Sequence, residues 1–475
     1  MIGDFFKKIG KAVRSLFAKR ATMESAFDVQ IAVSSKMEQS LQLWSDMYEG
    51  YPPWLSEDIR TMNLASVIAG EVARLVTMEM QVSLSGSPMA DYLSEQLKPV
   101  IKNARKYTEY ACAKGGIVLK PYVIEEAEKI AVTIVQPEDF FPTSFDSNGN
   151  ILGGIFPDQK IIGDRKYTRY EKHELNGNVY TIINKAFVTQ ISEIGNTNDN
   201  VLGKEVSLDS VEDWAGIEPE VVINNVDCPL FAYFKMPMAN NVELRSPLGV
   251  SVFSKAIGDI READNQWSNL LWEFKATEAA VFGDEDIFQV DEHGQLKLEG
   301  KDKRLFRSFQ GLTEQIKEYS PQIRDVSILN GLNNILKQVE FKCSLAYGTI
   351  SDPQNVDKTA TEVKQSKQRS FSLVCDIQAA FKDAHEDLIR AMRTLAILYG
   401  LSPDGECEPI FDFDDSIVVD RDVEFQRLMQ MASANMIKPE AVTAWYFGIP
   451  IEEAQEMLPP AFGKDPEDEP IEEEE

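Results

Sequence analysis

The sequence predicts an α+β chain, predominantly helical. Three observations carry that expectation. From Thr359 no Pro or Gly appears until Gly400, which permits one helix of roughly 40 residues, about 60 Å long at 1.5 Å per residue. Between Gly116 and Lys235 the apolar period drops from that of helices to that of strands. At 475 residues and 43% apolar content, the chain is long and apolar enough for several packed cores.

In chain order, residues 2–20 are basic and amphipathic. Ile2, Phe5, Phe6, Ile9, Val13, Leu16 and Phe17 share a helical face, with Lys7, Lys8, Lys11, Arg14, Lys19 and Arg20 between them. Such a segment suits an anionic membrane or an acidic partner. It equally suits docking on its own acidic protein. Helical patterning continues over Ser25–Asp46 and breaks at Gly50, Pro52 and Pro53. Asn63 is placed to cap a helix with Leu64, Val67, Ile68, Val72, Leu75 and Val76 on one side. A further helix is expected from Met89 to Lys114, interrupted or kinked at Pro99.

After Gly115-Gly116, Ile117–Val123 and Ile130–Val135 read as strands, and Asp146–Gly149 as a turn before Ile151. That turn lacks the later ligands and closing Glu of a calcium loop. Tyr167–Leu175 and Val179–Phe187 flank Asn176-Gly177, a hairpin signal. Asn196–Trp214 is polar and reads as a mobile loop; Val221–Lys235 returns to strand. From about Val250 to Phe282 a helix is expected, with Phe253, Ile257, Ile260, Trp267, Leu270, Leu271 and Phe274 close to a heptad seam. Short strands follow at Ile287–Val290, Leu296–Leu298 and Arg304–Phe309, then a second helix after Tyr319.

The stretch Tyr347–Val363, YGTISDPQNVDKTATEV, joins that helix to the long one. Ser351, Asp352, Pro353, Gln354, Asn355 and Asp357 are loop formers, and Thr359 with Glu362 has capping-box spacing. Along the long helix Val363, Phe371, Val374, Ile377, Phe381, Leu388, Met392, Leu395 and Leu398 form an apolar stripe. Ile410–Val419 is acidic. Asp412 and Asp414 have the spacing of a phosphatase nucleophile and acid, but Ser416 replaces the usual Thr or Val and no Lys/Asp partners follow. Helices are expected at Asp422–Asn435, Lys438–Phe447 and Ile451–Met457, then an acidic, disordered tail.

Charge is lopsided, with 48 Lys+Arg against 77 Asp+Glu and a net charge of −29. A chain this acidic repels phosphate as a whole and is poorly suited to wrapping nucleic acid by counterion release. It suits a surface that DNA passes without sticking, or acidity that serves only solubility. The five cysteines form no Cys-x-x-Cys pair and indicate neither zinc nor a disulfide framework. No run of about 20 apolar residues is present, so no membrane span is expected. His173, His293 and His385 lack metal spacing, and Walker and Gly-x-Ser-x-Gly motifs are absent. No enzyme, metal or cofactor is therefore expected.

The stretch at Tyr347 resembles the portal proteins of tailed bacteriophages, of the kind found in phages with long non-contractile tails. So do LKPYV at Leu119, VQPEDFFPTSFDSNGNI at Val135, ANNVELRSPLGVS at Ala239 and YSPQIRDVSILNGLNNILKQVE at Tyr319. The resemblance runs in patches from Asn63 to Pro459. It implies a portal fold of wing, stem, clip and crown that assembles into a ring, twelve copies in that family. The ring sits at one capsid vertex, the channel for DNA packaging and ejection. The division it implies is an N-terminal segment 1–20, wing 21–250, first stem helix 251–282 and clip 283–318. A second stem helix 319–350, channel loop 351–359, long helix 360–400, crown 401–460 and tail 461–475 complete it. The clip is placed by position alone.

It also implies that Ser351, Asp352, Gln354, Asn355, Asp357, Lys358 and Thr359 form a loop facing the channel. Phe253, Ile257, Ile260, Trp267, Leu271 and Phe274 pack the stem. Lys358, Lys364, Lys367 and Arg369 form a candidate cationic band that brakes or centres DNA, unless they pair with carboxylates such as Asp357 and Glu362. The implied partners are further copies of the chain, major capsid and scaffolding proteins, the terminase large subunit, neck proteins and non-specifically bound double-stranded DNA, with no membrane. The place is the virion, after assembly in the host cytoplasm. The rival reading is an intracellular helical scaffold or adaptor without a DNA channel; an acidic hydrolase is third.

Overall fold

The computed structural model describes residues 20–190, 202–277, 280–284, 306–309, 316–319, 322–352, 360–413, 421–447, 449 and 451–458. Two compact units are present, Met1–Asp412 and Phe413–Glu475. Of the basic N-terminal segment only Arg20 is described. Its guanidinium donates to Val33 O (2.6 Å) and to Glu24 Oε1 (3.0 Å), so the segment's last cation is held by the protein's own surface.

The helix expected over Ser25–Asp46 is two pieces. Residues 20–27 are helical, Asp28 enters the left-handed region (φ 52°) and the chain restarts at α1, Ser35–Tyr48. Ser34 caps it through Oγ, and Met37, Leu41, Trp44 and Met47 are buried. In α2, Leu64–Val76, Asn63 holds the N-cap position with φ 56° but makes no side-chain cap bond. Leu64, Ile68, Val72 and Val76 face the core, while Val67 is 47% exposed.

The break expected at Pro99 falls instead at Asn103. Pro99 lies inside α3, Pro88–Lys102, and α4 runs Ala104–Lys114. Asn103 turns its amide back onto Pro99 O (2.8 Å), an acceptor near the helix end.

The strands of the first unit form separate sheets. One has the order β10-β2-β3: Ala232–Lys235, Gly116–Ile124 and Lys129–Val135. The larger sheet has the order β4-β5-β6-β7-β8, and β9 also pairs β7. Its strands are β4 Phe141–Phe145, β5 Ile151–Ile162, β6 Arg165–Asn176, β7 Val179–Gln190, β8 Lys204–Val206 and β9 Glu220–Asn224. The expected hairpin is present, shifted by one residue. Asn176 pairs with Val179, so Gly177-Asn178 are the turn, with Gly177 at φ 61°, as a type II′ turn requires. Asp146 closes its own turn by accepting from Asn148 N and Asn150 N.

The polar stretch ending at Trp214 is more ordered than expected. Leu208, Val211 and Trp214 form a small core with Ala186, and Trp214 Nε1 donates to Asp158 Oδ2 (2.8 Å). Residues 191–201 lie outside the described residues.

The seam helix is shorter than its pattern. Val250–Ala256 are loop and turns, and α5 spans Ile257–Ala276. Three short strands follow, β11 Ala280–Asp284, β12 Phe306–Phe309 and β13 Ile316–Tyr319, in the order β12-β11-β13. The strands expected at Ile287–Val290 and Leu296–Leu298 lie outside the described residues. Helix α6 is Asp325–Lys342 and α7 is Ala360–Leu398, 39 residues, starting one residue after Thr359.

Helix α7 buries Ile377, Phe381, Leu388, Met392 and Leu395 as the stripe predicts; Leu398 emerges to 47% exposure. Phe381 meets Phe234 of β10 edge-on (5.6 Å) and stacks on Tyr107 and His385. The first unit closes with β14, Glu408–Asp412, antiparallel to β1, Gln81–Ser85. Asp412 therefore pairs with Gln81 at a strand end, and Asp414 lies outside the described residues. The second unit holds α8 Arg421–Ser433, α9 Pro439–Phe447 and α10 Ile451–Met457, within two residues of expectation. The tail from residue 459 is outside the described residues.

Candidate functional site

The site grows from the pairing of α5 with α6. Asp259, near the start of α5, pairs with Lys342 at the end of α6. Glu273, near the end of α5, holds Arg324, the residue before α6, at 2.8 and 3.0 Å. The two helices are thus antiparallel. Arg324 keeps the Glu273 carboxyl below its usual range, chiefly through those hydrogen bonds.

A buried Asp264 on α5 ties in the preceding segment. It accepts from Trp54 Nε1 (2.8 Å) and Met62 N (2.7 Å); burial still pushes its carboxyl up. Helix α5 is therefore fixed from both sides within one protomer.

The six residues expected to pack the stem divide. Phe253 precedes the helix and is fully buried; Ile260 is also core. Ile257, Trp267 and Leu271 are half-buried, and Phe274 is 49% exposed. The seam is thus not one face: the first residues serve this chain's own core. The outward apolar surface is at the Glu273–Arg324 end of the pair, where Trp272 and Val326 are 63% and 66% exposed, joined by Phe274, Ile323 and Leu329. Heptad counting missed Trp272 and Val326: on α6, Val326 and Leu329 continue the stripe of Leu332, Leu336 and Val339 at three- and four-residue steps, so the pattern gave no sign that they are exposed.

From α6 the chain enters the polar loop, and its entry is held by side chains. Glu340, fully buried, accepts from the amides of Gly348 (3.1 Å), Ile350 (2.7 Å) and Ser351 (2.9 Å), all on Oε1. Its Oε2 accepts from Ser351 Oγ (2.8 Å). Asn333 Oδ1 accepts from Asp352 N (2.8 Å). Ser351 is only 4% exposed, so it forms the loop's base rather than its outer surface. Asp352 is exposed. Gln354, Asn355, Asp357, Lys358 and Thr359 lie outside the described residues.

The candidate cationic band is also divided. Lys358 lies outside the described residues, as do the side chains of Lys364 and Lys367. Arg369 is described, and it turns inward. Its guanidinium sits over the rings of Phe341 (4.7 Å) and Tyr347 (5.7 Å). It packs the loop entry onto α7 and is withdrawn from the band. Beside it, Ser370 Oγ accepts from Ala346 N (2.9 Å).

Catalytic geometry is not what this arrangement offers. Among the described residues no group of three or more His, Cys, Asp and Glu is placed to hold a metal ion. No helix there is long and apolar enough to cross a membrane. None of the five cysteines is in a disulfide, and burial pushes the Cys343 thiol up to about 12 and raises Cys228, which leaves those two poor nucleophiles. A cleft of about 620 Å³ between the β4–β5 turn, β10 and α7 is lined by Asp146, Asp227, Asp383 and Asp387 with Arg390.

The arrangement is thus two braced helices, an outward apolar face at one end of the pair and a loop whose base is held by side chains. Residues 99–459 match the family model "Phage portal protein, SPP1 Gp6-like"; this is more than half the chain, which belongs to that phage portal protein family. No curated protein matches it.

Solved structures similar to it include a chain in the neck of an empty gene transfer agent particle computed with C6 symmetry. The TM-score is 0.41 and the identity 11%, over 86% of this chain and 94% of that chain. A chain of the native gene transfer agent virion gives 0.41 and 12%, over 86% and 93%. A neck of the native particle computed with C12 symmetry gives 0.39 and 12%, over 82% and 89%.

Proposed function

We propose that the chain works as a closed ring of twelve copies at one capsid vertex, and that double-stranded DNA enters and leaves the head through its centre. The family match over residues 99–459 is the observation that carries this reading. Head-to-tail contacts whose rotation closes make such a ring. In this reading residues 21–250 are the wing, α5 and α6 the stem, and the β11–β13 sheet belongs to the clip. The loop beyond Asp352 faces the bore, α7 backs it, and α8–α10 are the crown. The exposed Trp272, Phe274, Val326 and Leu329 are then covered by the neighbouring copy's stem.

The channel itself acts by charge and shape. A net charge of −29 per copy, repeated by symmetry, gives a wall on which phosphate finds no resting place. Lys358, Lys364 and Lys367 are the local exception, and Arg369 is not part of it. Capsid and scaffolding proteins, the terminase large subunit and neck proteins dock on the outer faces; the virion is the place of action, after assembly in the host cytoplasm. The protein's part is conduit and platform, with no chemistry of its own.

Negative-stain microscopy of the purified chain tests this directly. Rings with a central hole are expected; compact single particles at every concentration overturn it. Replacing Lys358 and Lys364 by Gln is expected to change packaged DNA length or retention; unchanged values assign these cations to pairing with neighbouring carboxylates.

A further inference from the structure

We infer that Glu340 is the positioning residue of the loop: its carboxylate fixes the Gly348–Ser351 backbone to α6 and thereby sets the direction in which the segment after Asp352 leaves the helix pair. The inference rests on the channel reading above and adds to it the residue that aims the loop.

The geometry is that of an anion nest closed from inside. Successive backbone N–H groups in a turn make a concavity that takes an anion. Here the turn at Gly348, with φ +88°, points the amides of Gly348, Ile350 and Ser351 at one carboxylate oxygen, and the Ser351 hydroxyl at the other. A carboxylate is acceptor-only and has about four lone-pair sites, so four donors match it. Among the described residues no Lys or Arg pairs with Glu340. Its bonds are therefore spent on the loop, and a buried group that lost them would be costly.

Asn333 sits two turns earlier, on the same face of α6, and takes the next amide, Asp352 N. Five bonds thus run from two α6 side chains to the last residues before the loop. On the other side Ser370 and Arg369 of α7 hold Ala346 and Tyr347. A displacement of α6 is therefore passed to the loop base as a rigid shift.

Hydrogen exchange by mass spectrometry on purified rings, read at peptides covering 345–352, tests the geometry; packaging into heads tests its use. In Glu340→Ala rings exchange there rises about tenfold or more relative to distant helices, while ring mass is retained and DNA per head falls about as much. Glu340→Gln, which keeps an oxygen for the amides and offers an N–H to Ser351 Oγ, restores most of both. Unchanged exchange in Glu340→Ala overturns the inference, and so does faster exchange with normal packaging. If Glu340→Ala does not fold, Asn333→Ala, which frees only the Asp352 amide, is read by the same two measurements against the same outcomes. If wild-type heads take up no DNA through these rings, the channel reading falls. The exchange arm then decides the Glu340 assignment alone.

Discussion

Burial disfavours the charged form of both His385 and Glu38, and so shifts the base down and the acid up. His385 is fully buried on α7, accepting from Tyr107 Oη at Nε2 (2.7 Å) and donating from Nδ1 to Phe381 O (2.8 Å). Burial lowers its pKa to about 4 from 6.5. The folded value lies below the unfolded one, so the unfolded chain binds the extra proton between them. The stabilisation is present above about pH 6.5 and is lost as pH falls toward about 4, on the order of 3 kcal/mol in all. Urea midpoints at pH 7.5 and 4.5 are expected to fall less in His385→Phe than in the wild type.

Burial pushes the Glu38 carboxyl up from 4.5 to about 7, and both its oxygens lack a hydrogen-bond partner. Its contribution is present below pH 4.5 and is lost as pH rises through about 7. Glu38→Gln should therefore raise the melting temperature at pH 8 and leave it nearly unchanged at pH 5, as scanning calorimetry would report.

Among the elements, α7 carries the first unit. Phe381→Ala removes the ring between Tyr107, Phe234 and His385 and should cost about 3–5 kcal/mol by denaturant titration. At the meeting of α4 and the loop before α5, a Cβ on Gly249 would lie 2.1 Å from Gly115 O; Gly249→Ala should destabilise by more than about 2 kcal/mol, checked the same way.

Much of this was legible in the residues. The absence of Pro and Gly between Thr359 and Gly400 delimited α7, and the period of two found β2, β3, β6 and β7. The misses have local causes. Asp28 and Asn63 adopt left-handed backbone where composition suggested continuous helix or a side-chain cap. Pro99 is accommodated inside α3, and the helix ends only at Asn103, whose side-chain amide takes Pro99 O. Phe253 fits the heptad of α5 by spacing, yet precedes the helix. The Glu340 clamp was invisible because an acidic residue on an amphipathic helix announces nothing until the loop folds back on it. Arg369 read as one more cation of a band, since only packing reveals the two rings beneath it.

At the scale of the whole molecule, one copy leaves apolar helix surface uncovered. Replacing Trp272 and Val326 together by Ser should change protomer stability by less than about 1 kcal/mol, since both are surface positions in the single chain. Sedimentation velocity should then show rings giving way to monomers; intact rings would place the contact between copies elsewhere. The ribbon of β1 with β14 has a consequence for how the protein is made. Gln81 finds its partner in Asp412, so a ribosome must deliver over three hundred further residues before that early strand is sealed. During that interval Gln81–Ser85 is an open edge able to pair with another nascent chain. Translation arrested before Glu408 should therefore yield aggregates, whereas release just after Asp412 should yield a soluble first unit.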